Sequence, residues 1–310
     1  MAEAKVVVIG SSNTDMILQL ERIPRPGETV LGGAFSMAAG GKGANQAVAA
    51  ARAGGHVTFL ARVGQDLFGE QALAGFRKDG IRVDFVVQDP EAPSGVALIF
   101  VAQSGENSIG VAPGANARLS PEDVQRAESV IAEADVVLMQ LEIPLETVQA
   151  AAELAARHRV RVILNPAPAR TLPDTLLQQV WMITPNETEA EQLTGVRVDR
   201  ETQTIEAGRR LLDRGVTAAI LTLGEQGAMV VTREIQQRVP SFPVKAVDTT
   251  AAGDVFNGVL AVALAEGRPL LEAVRFANAA AALSVTKLGA QPSAPTRERI
   301  EAFLAEQASG

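Results

Sequence analysis

The sequence predicts an α/β fold, a mostly parallel sheet covered by helices, with a small antiparallel sheet projecting from it. Three observations lead there. Short β-branched runs alternate with Ala/Leu/Glu/Arg segments at helical spacing. Two regions carry strand-like runs with turn residues, and no helix, between them. The last third of the chain is helical in pattern and rich in Ala and Val, which suits helices buried against a sheet.

The first run, Lys5 to Gly10, is short, β-branched and ended by glycine, the pattern of a parallel strand buried on both faces. Similar runs recur at His56 to Val63, Asp135 to Leu141, Val160 to Asn165, Trp181 to Thr184 and Ala218 to Leu223. Between them the helical pattern covers Gly43 to Ala53, Leu67 to Asp79, Pro121 to Ala132, Glu146 to Arg157 and Thr202 to Arg214. Strand-helix alternation of this kind implies right-handed βαβ crossovers. Two further helices are expected over Ala252 to Glu266 and Leu270 to Thr286.

The rhythm breaks twice. Met16 to Leu20 and Thr29 to Phe35 are strand-like around a Pro/Gly turn region, and Gly95 to Ala102 and Ser108 to Val111 flank the turn cluster Gln103-Ser104-Gly105-Glu106-Asn107. A small sheet so placed often acts as a lid; the plainer reading is an edge extension.

Composition narrows the chemistry. The 310 residues contain no Cys, which excludes disulfides, thiolate nucleophiles and Cys-based metal sites. Two histidines, His56 and His158, are too few for a His-rich metal centre, so an enzymatic base would be a carboxylate or Lys. A formal net charge of −8 argues against a dedicated nucleic-acid or anionic-membrane binder. No apolar run is long enough to span a bilayer, and a soluble cytoplasmic protein is expected.

Four polar constellations sit where strands should end. Gly10-Ser11-Ser12-Asn13-Thr14-Asp15 follows the first strand; Asn13 and Asp15 share one face of an extended chain and suit a polyhydroxylated ligand, or form an Asx-rich turn. Gly40-Gly41-Lys42-Gly43-Ala44-Asn45-Gln46 enters an Ala-rich helix. It fits neither a P-loop nor G-x-G-x-x-G, because Gly43 follows Gly-Lys and Gln46 stands at the third glycine position. Asn186-Glu187-Thr188-Glu189 is a helix start whose acids stabilise that terminus or hold water around a Mg²⁺-phosphate complex. Asp248-Thr249-Thr250-Ala251-Ala252-Gly253-Asp254 opens the next helix. Its small turn exposes N–H groups to an anion, and Asp254 in the first turn either caps or deprotonates a hydroxyl.

Together the four resemble the ribokinase, or PfkB-type, carbohydrate kinase family, over Val6 to about Phe303. The glycine-lysine run looks like its N-terminal signature, Asp248 to Asp254 like its C-terminal D-T-x-A-A-G-D signature, and Asn186-x-x-Glu189 like its N-x-x-E motif. Met139-Gln140-Leu141-Glu142, Asn165 to Arg170 and Gly289-Ala290-Gln291-Pro292-Ser293 match as well. The resemblance implies a three-layer α/β/α core forming one kinase domain over residues 1–310, with lid strands within about 14–36 and 94–112. It implies ATP-dependent phosphorylation of D-ribose at its 5-hydroxyl. Asn13, Asp15, Gly41, Lys42, Asn45 and Glu142 would hold the sugar, and Asp254 would be the base. The N–H groups of Ala251, Ala252 and Gly253 would form the anion hole. Asn186, Thr222, Gly224, Gly227 and Gly253 would line the nucleotide, with Asn278 near the adenine. Asn186 and Glu189 would hold Mg²⁺ through water. Asp248, Thr250, Ser284, Lys287, Gly289 and Ser293 would surround an activating monovalent cation, usually K⁺. The lid would join two copies into a homodimer. Alternatives are a sibling kinase for 2-deoxyribose, fructose, a sugar acid or a nucleoside, and a sugar-binding regulator without catalysis.

Overall fold

A computed structural model describes residues 3–308. The chain begins β1 (Lys5–Ile9), β2 (Asn13–Leu20), β3 (Ala34–Gly40), α1 (Lys42–Arg52), β4 (His56–Gly64), α2 (Leu67–Lys78) and β5 (Arg82–Asp89). It continues β6 (Gly95–Ala102), β7 (Asn107–Ala112), α3 (Pro121–Arg126), α4 (Glu128–Ala132), β8 (Val136–Met139), α5 (Leu145–Arg157), β9 (Arg161–Leu164), α6 (Asp174–Leu177) and β10 (Met182–Ile183). The last stretch holds α7 (Glu187–Thr194), α8 (Glu201–Asp213), β11 (Ala218–Thr222), β12 (Ala228–Val231), β13 (Gln236–Val239), α9 (Ala252–Ala265), α10 (Leu270–Ser284) and α11 (Arg297–Ala308).

Nine strands form the main sheet in the order β13-β12-β11-β10-β9-β8-β1-β4-β5. All neighbours from β11 to β5 run parallel, and β12 and β13 extend the edge antiparallel. Alternation within β1 sorts the core. Val6 and Val8 join the cluster beneath α1, α9 and α10, while Val7 and Ile9 join the cluster beneath α5 and α8. Each such buried aliphatic side chain contributes about 1.5–3 kcal/mol, so both faces of β1 anchor the three layers.

The smaller sheet has the order β3-β2-β6-β7. β2 pairs antiparallel with β3 and β6 with β7; β2 and β6 run parallel between the two hairpins. The first hairpin differs from expectation in register. Its return strand is Ala34–Gly40, not Thr29 to Phe35, because Gly32 and Gly33 take φ of 104° and 101°, which no strand accommodates. The helical pattern of Pro121 to Ala132 is likewise divided into α3 and α4 at Ala127, whose φ −92°, ψ 8° leaves the helix. β5, β12 and β13 are strands beyond those expected; β5 and β13 are edge strands with partly exposed faces, so their apolar runs are interrupted, whereas β12 is a buried run of only four residues between β11 and β13.

From the central β1 the chain first builds β4 and β5 on one side and later β8 to β13 on the other. Strand order therefore reverses between β1 and β8, and past the carboxyl ends of strands at such a switch point lies the crevice in which ligands of open α/β sheets bind. Among the described residues no helix is long and apolar enough to cross a membrane.

Candidate active site

The crevice is built from strand ends and two helix starts. Past β1, Ser11 receives α1: Ala44 N donates to Ser11 O at 2.8 Å and Gly43 N to Ser11 Oγ at 3.3 Å. A Cβ on Gly43 would lie 2.7 Å from Gly10 Cα, so the contact requires glycine. Glu142, just past β8, ties both pieces together. One carboxylate oxygen accepts from Ser11 Oγ at 2.5 Å and from Lys42 N at 3.0 Å. Asn13 and Asp15 lie on one face of β2, opposite Gly40 and Ala38 of β3. Asn13 is buried, and its Oδ1 accepts from Asn116 Nδ2 at 2.7 Å. Gly41, Lys42 and Asn45 thus come to one mouth with Asn13, Asp15 and Glu142.

α9 begins across from α1, and the small residues of both helices let them pack directly. Its N-cap is Ala251, held in the left-handed region at φ 60°, ψ 14°, with no side chain capping the first turn. A non-glycine residue there costs about 1–2 kcal/mol. Gly253 is exposed, and Ala252 N makes a long 3.3 Å turn bond to Thr249 O. Asp254, in the first turn, is 6% exposed. Its Oδ2 accepts from Asn45 Nδ2 and its Oδ1 from Gln46 Nε2, both at 3.0 Å.

Several charges share this small volume. Burial pushes the Asp254 carboxyl up, while the Lys42 ammonium and the amides of Asn45 and Gln46 pull it down without cancelling the shift. Burial, with Glu142 and Asp254 nearby, raises Asp15 to about 6. Lys42 loses hydration, yet Asp254, Glu142, Glu189 and Asp15 together hold its pKa above the ordinary value, so it stays charged. One ammonium facing four carboxyl groups orients an uncharged polyol well and makes a hydroxyl-deprotonating base available.

On the other side of α9, Asn186 and Glu189 form a reciprocal capping box on α7. Glu189 N donates to Asn186 Oδ1 at 2.8 Å, and Asn186 N to Glu189 Oε2 at 2.9 Å. Both readings of this motif stay compatible, because the cap fixes a buried carboxylate at the crevice; burial raises its pKa. Among the described residues no cluster of three or more acidic or His side chains forms a metal cage. A water-rich Mg²⁺-phosphate complex needs none, and Asn186 with Glu189 fits that demand. Thr222 bridges to Asn186 at the end of β11, and Gly224 and Gly227 bracket the turn that follows. Asn278 is buried on α10 and donates to Val239 O at 3.0 Å and Pro240 O at 3.2 Å, fastening the end of β13.

The residues expected around a monovalent cation come together as two joined loops. Asp248 accepts from Thr250 N at 2.9 Å and from Gly289 N at 2.8 Å. Ser284 Oγ and Ser293 Oγ donate to Ala281 O and Ala290 O, and Lys287 is exposed. Asp248 thus fastens the two loops to each other. His56 and His158 lie elsewhere and exposed, beside Glu3 and Glu128.

A family profile described as pfkB family carbohydrate kinase matches residues 3–297. The chain belongs to this family. It is a sugar kinase. A ribokinase of Haemophilus influenzae is 46% identical over 299 residues, covering 96% of this chain and 98% of its own. A deoxyribokinase of Salmonella typhi is 41% identical over 300 residues, covering 96% and 98%. The solved structure of Arabidopsis thaliana ribokinase complexed with ribose and ATP superposes with a TM-score of 0.90 at 34% identity, covering 97% of this sugar kinase and 99% of that chain.

Sequence reasoning gave no role to several residues that build the kinase's site: Asn116, Gln46, Gln140, Asn165, Thr184 and Asn257. Their signal was available in part. Gln140 and Asn257 are single amides inside apolar runs, and Gln46 follows Asn45 at the head of an Ala/Val-rich helix; such residues need buried partners.

Proposed function

We propose that this sugar kinase transfers the γ-phosphoryl group of ATP to the 5-hydroxyl of D-ribose. The observation that carries the reading is the Asp254 carboxylate, buried at the uncapped start of α9 and flanked by Asn45, Gln46 and Lys42. Asn13, Asp15, Gly41, Lys42, Asn45 and Glu142 bind the sugar hydroxyls. Asp254 accepts the 5-hydroxyl proton as that oxygen bonds to phosphorus and the bond to the ADP oxygen breaks. The N–H groups of Ala251, Ala252 and Gly253 stabilise charge on the phosphoryl group. Thr222, Gly224 and Gly227 line the nucleotide with Asn186, and Asn278 shapes the wall toward the adenine.

Mg²⁺, when bound, neutralises phosphate charge; Asn186 and Glu189 hold its waters. The loops carrying Asp248, Thr250, Ser284, Lys287, Gly289 and Ser293 hold K⁺ and brace the turn at Ala251. The smaller sheet, within residues 13–40 and 95–112, serves as lid and as homodimer contact. The reading places the reaction in the cytoplasm and treats residues 1–310 as one kinase domain.

A second sugar is raised by one observation, the 41% identity to a deoxyribokinase, not far below the 46% to a ribokinase. The test is ADP release with ATP and Mg²⁺ across ribose, 2-deoxyribose, fructose and nucleosides, each with and without K⁺. Highest kcat/KM on ribose, raised by K⁺, is expected. Preference for 2-deoxyribose would reassign the substrate, and sugar binding without ADP release would make the protein a regulator.

A further inference from the structure

Behind Asp254 runs a chain of buried amides whose hydrogen bonds leave no choice of orientation. Gln46 Nε2 donates to Asp254 Oδ1 and to Asn165 Oδ1, both at 3.0 Å, while Gln46 Oε1 accepts from Gln140 Nε2 at 2.6 Å. Rotating the Gln46 amide by half a turn would set its oxygen against two acceptor oxygens and its NH₂ against that of Gln140. Asn165 Nδ2 donates to Thr184 O at 3.1 Å, Thr184 Oγ1 to Asn257 Oδ1 at 2.6 Å, and Asn257 Nδ2 to Gly253 O at 2.8 Å. Gln46 and Gln140 are fully buried, and Asn257 and Thr184 are 1% exposed.

The chain therefore runs from the ends of β8, β9 and β10 to two points on the first turn of α9, the Asp254 carboxylate and the Gly253 carbonyl. A core this polar is costly unless it fixes something. Aliphatic residues would pack the same space between α1, α9 and the sheet without the nine polar side-chain atoms of Gln46, Gln140, Asn165, Thr184 and Asn257 to satisfy.

We propose that Gln46, locked by Gln140, is a positioning residue that aims the Asp254 carboxylate at the acceptor hydroxyl and keeps it ionised, and that Asn165, Thr184 and Asn257 hold the adjoining anion-binding turn in the same frame. The inference rests on the assignment of Asp254 as base. A donor to a carboxylate favours its charged form, so Gln46 offsets part of the burial that pushes Asp254 up. The other charges facing Asp254 are Lys42 on α1, Asp15 on β2, Glu142 after β8 and Glu189 on α7. None of these is altered by the substitutions below.

The test compares wild type, Gln46→Met, Gln140→Met and the double variant, recording kcat and KM against pH with ATP, Mg²⁺ and the sugar that wild type phosphorylates best. Methionine keeps the volume and removes the amide. For Gln46→Met, kcat should fall roughly tenfold to a hundredfold, with sugar KM changed less than about threefold. The acid limb of kcat should move to higher pH by about one unit, since a lost donor raises the base's pKa. Gln140→Met should do the same more weakly, and the double variant should be no worse than Gln46→Met, because both act through one amide. An unmoved acid limb in both single variants, or strictly additive losses, overturns the inference. Should Gln46→Met fail to fold, the acid limb of Gln140→Met, which retains Gln46, decides alone. Wild type that phosphorylates no sugar would instead refute the kinase reading.

Discussion

Asn116 treats Ser12 and Asn13 as a neighbouring strand would. Its Oδ1 accepts from Ser12 N at 2.9 Å, and its Nδ2 donates to Ser12 O at 3.1 Å and to Asn13 Oδ1 at 2.7 Å. One buried amide thus fixes the chain as it leaves the main sheet for the smaller sheet, and it spends the Asn13 oxygen internally; in the proposed sugar site this leaves the Asn13 NH₂ for a sugar oxygen. Asn116→Ala would orphan three buried groups. It should destabilise the fold by about 1–3 kcal/mol and raise ribose KM more than it lowers kcat. Urea unfolding and steady-state kinetics check this; unchanged KM would mean that Asn13 needs no such orientation.

In the proposed mechanism Asp254 has one task that an amide cannot perform. Asp254→Asn keeps the size and the contact with Asn45 but removes the base. kcat should fall roughly 10²- to 10⁴-fold, while ribose affinity, measured by calorimetry, changes little. Turnover near wild type would transfer the proton to another acceptor.

Asp15 carries a pH signature. Its pKa is about 6 in the fold against an ordinary 3.8, mainly through burial. Between those pH values the folded protein keeps a proton that the unfolded chain has released, so this residue's contribution to stability falls as pH rises through the window. Asp15→Asn should remove that slope. It should also make the sugar-free protein more stable at pH 7, on the order of 1–3 kcal/mol, while weakening ribose binding. Thermal melts from pH 4 to pH 7.5 give the readout, and a variant that melts lower than wild type at pH 7 would contradict the assignment.

How much of this was legible in the sequence depends on the range of the interaction. β1 and its parallel neighbours were readable because a strand buried on both faces is apolar throughout; Val6 to Ile9 leaves little alternative. The register of β3 was not, since Thr29 to Phe35 has strand-like residues and only the backbone at Gly32 and Gly33 moves the strand to Ala34. The four polar constellations were visible because each is local. The amide chain was not, because Gln46 is 94 residues from Gln140 and 208 from Asp254. No periodicity reports such a contact, although the Asn45-Gln46 amide pair at the head of an Ala/Val-rich helix does report that buried partners exist.

The apolar face of the smaller sheet is where the proposed assembly can be tested. Cross-strand register puts Phe35, Leu18 and Phe100 in one row and Met37, Met16 and Leu98 in the next. Side chains alternate across a sheet, so Asp15, Ile17 and Ile99 lie on the opposite face. Phe35 is 63% exposed, and Met37 and Leu98 are each 51% exposed. Six apolar side chains on one face of a thin sheet form the kind of patch that marks an interface. Each sheet presents the same face, as a two-fold contact requires. Leu98→Glu would bury a charge against its own copy and should shift the protein to monomer at micromolar concentration, read by sedimentation velocity. Lys78→Glu, on the exposed side of α2, should leave the mass unchanged. Because Leu98 lies beside Met16 on the strand that carries Asp15, the monomer should also bind ribose more weakly; wild type that sediments as a monomer would remove this face from the assembly altogether.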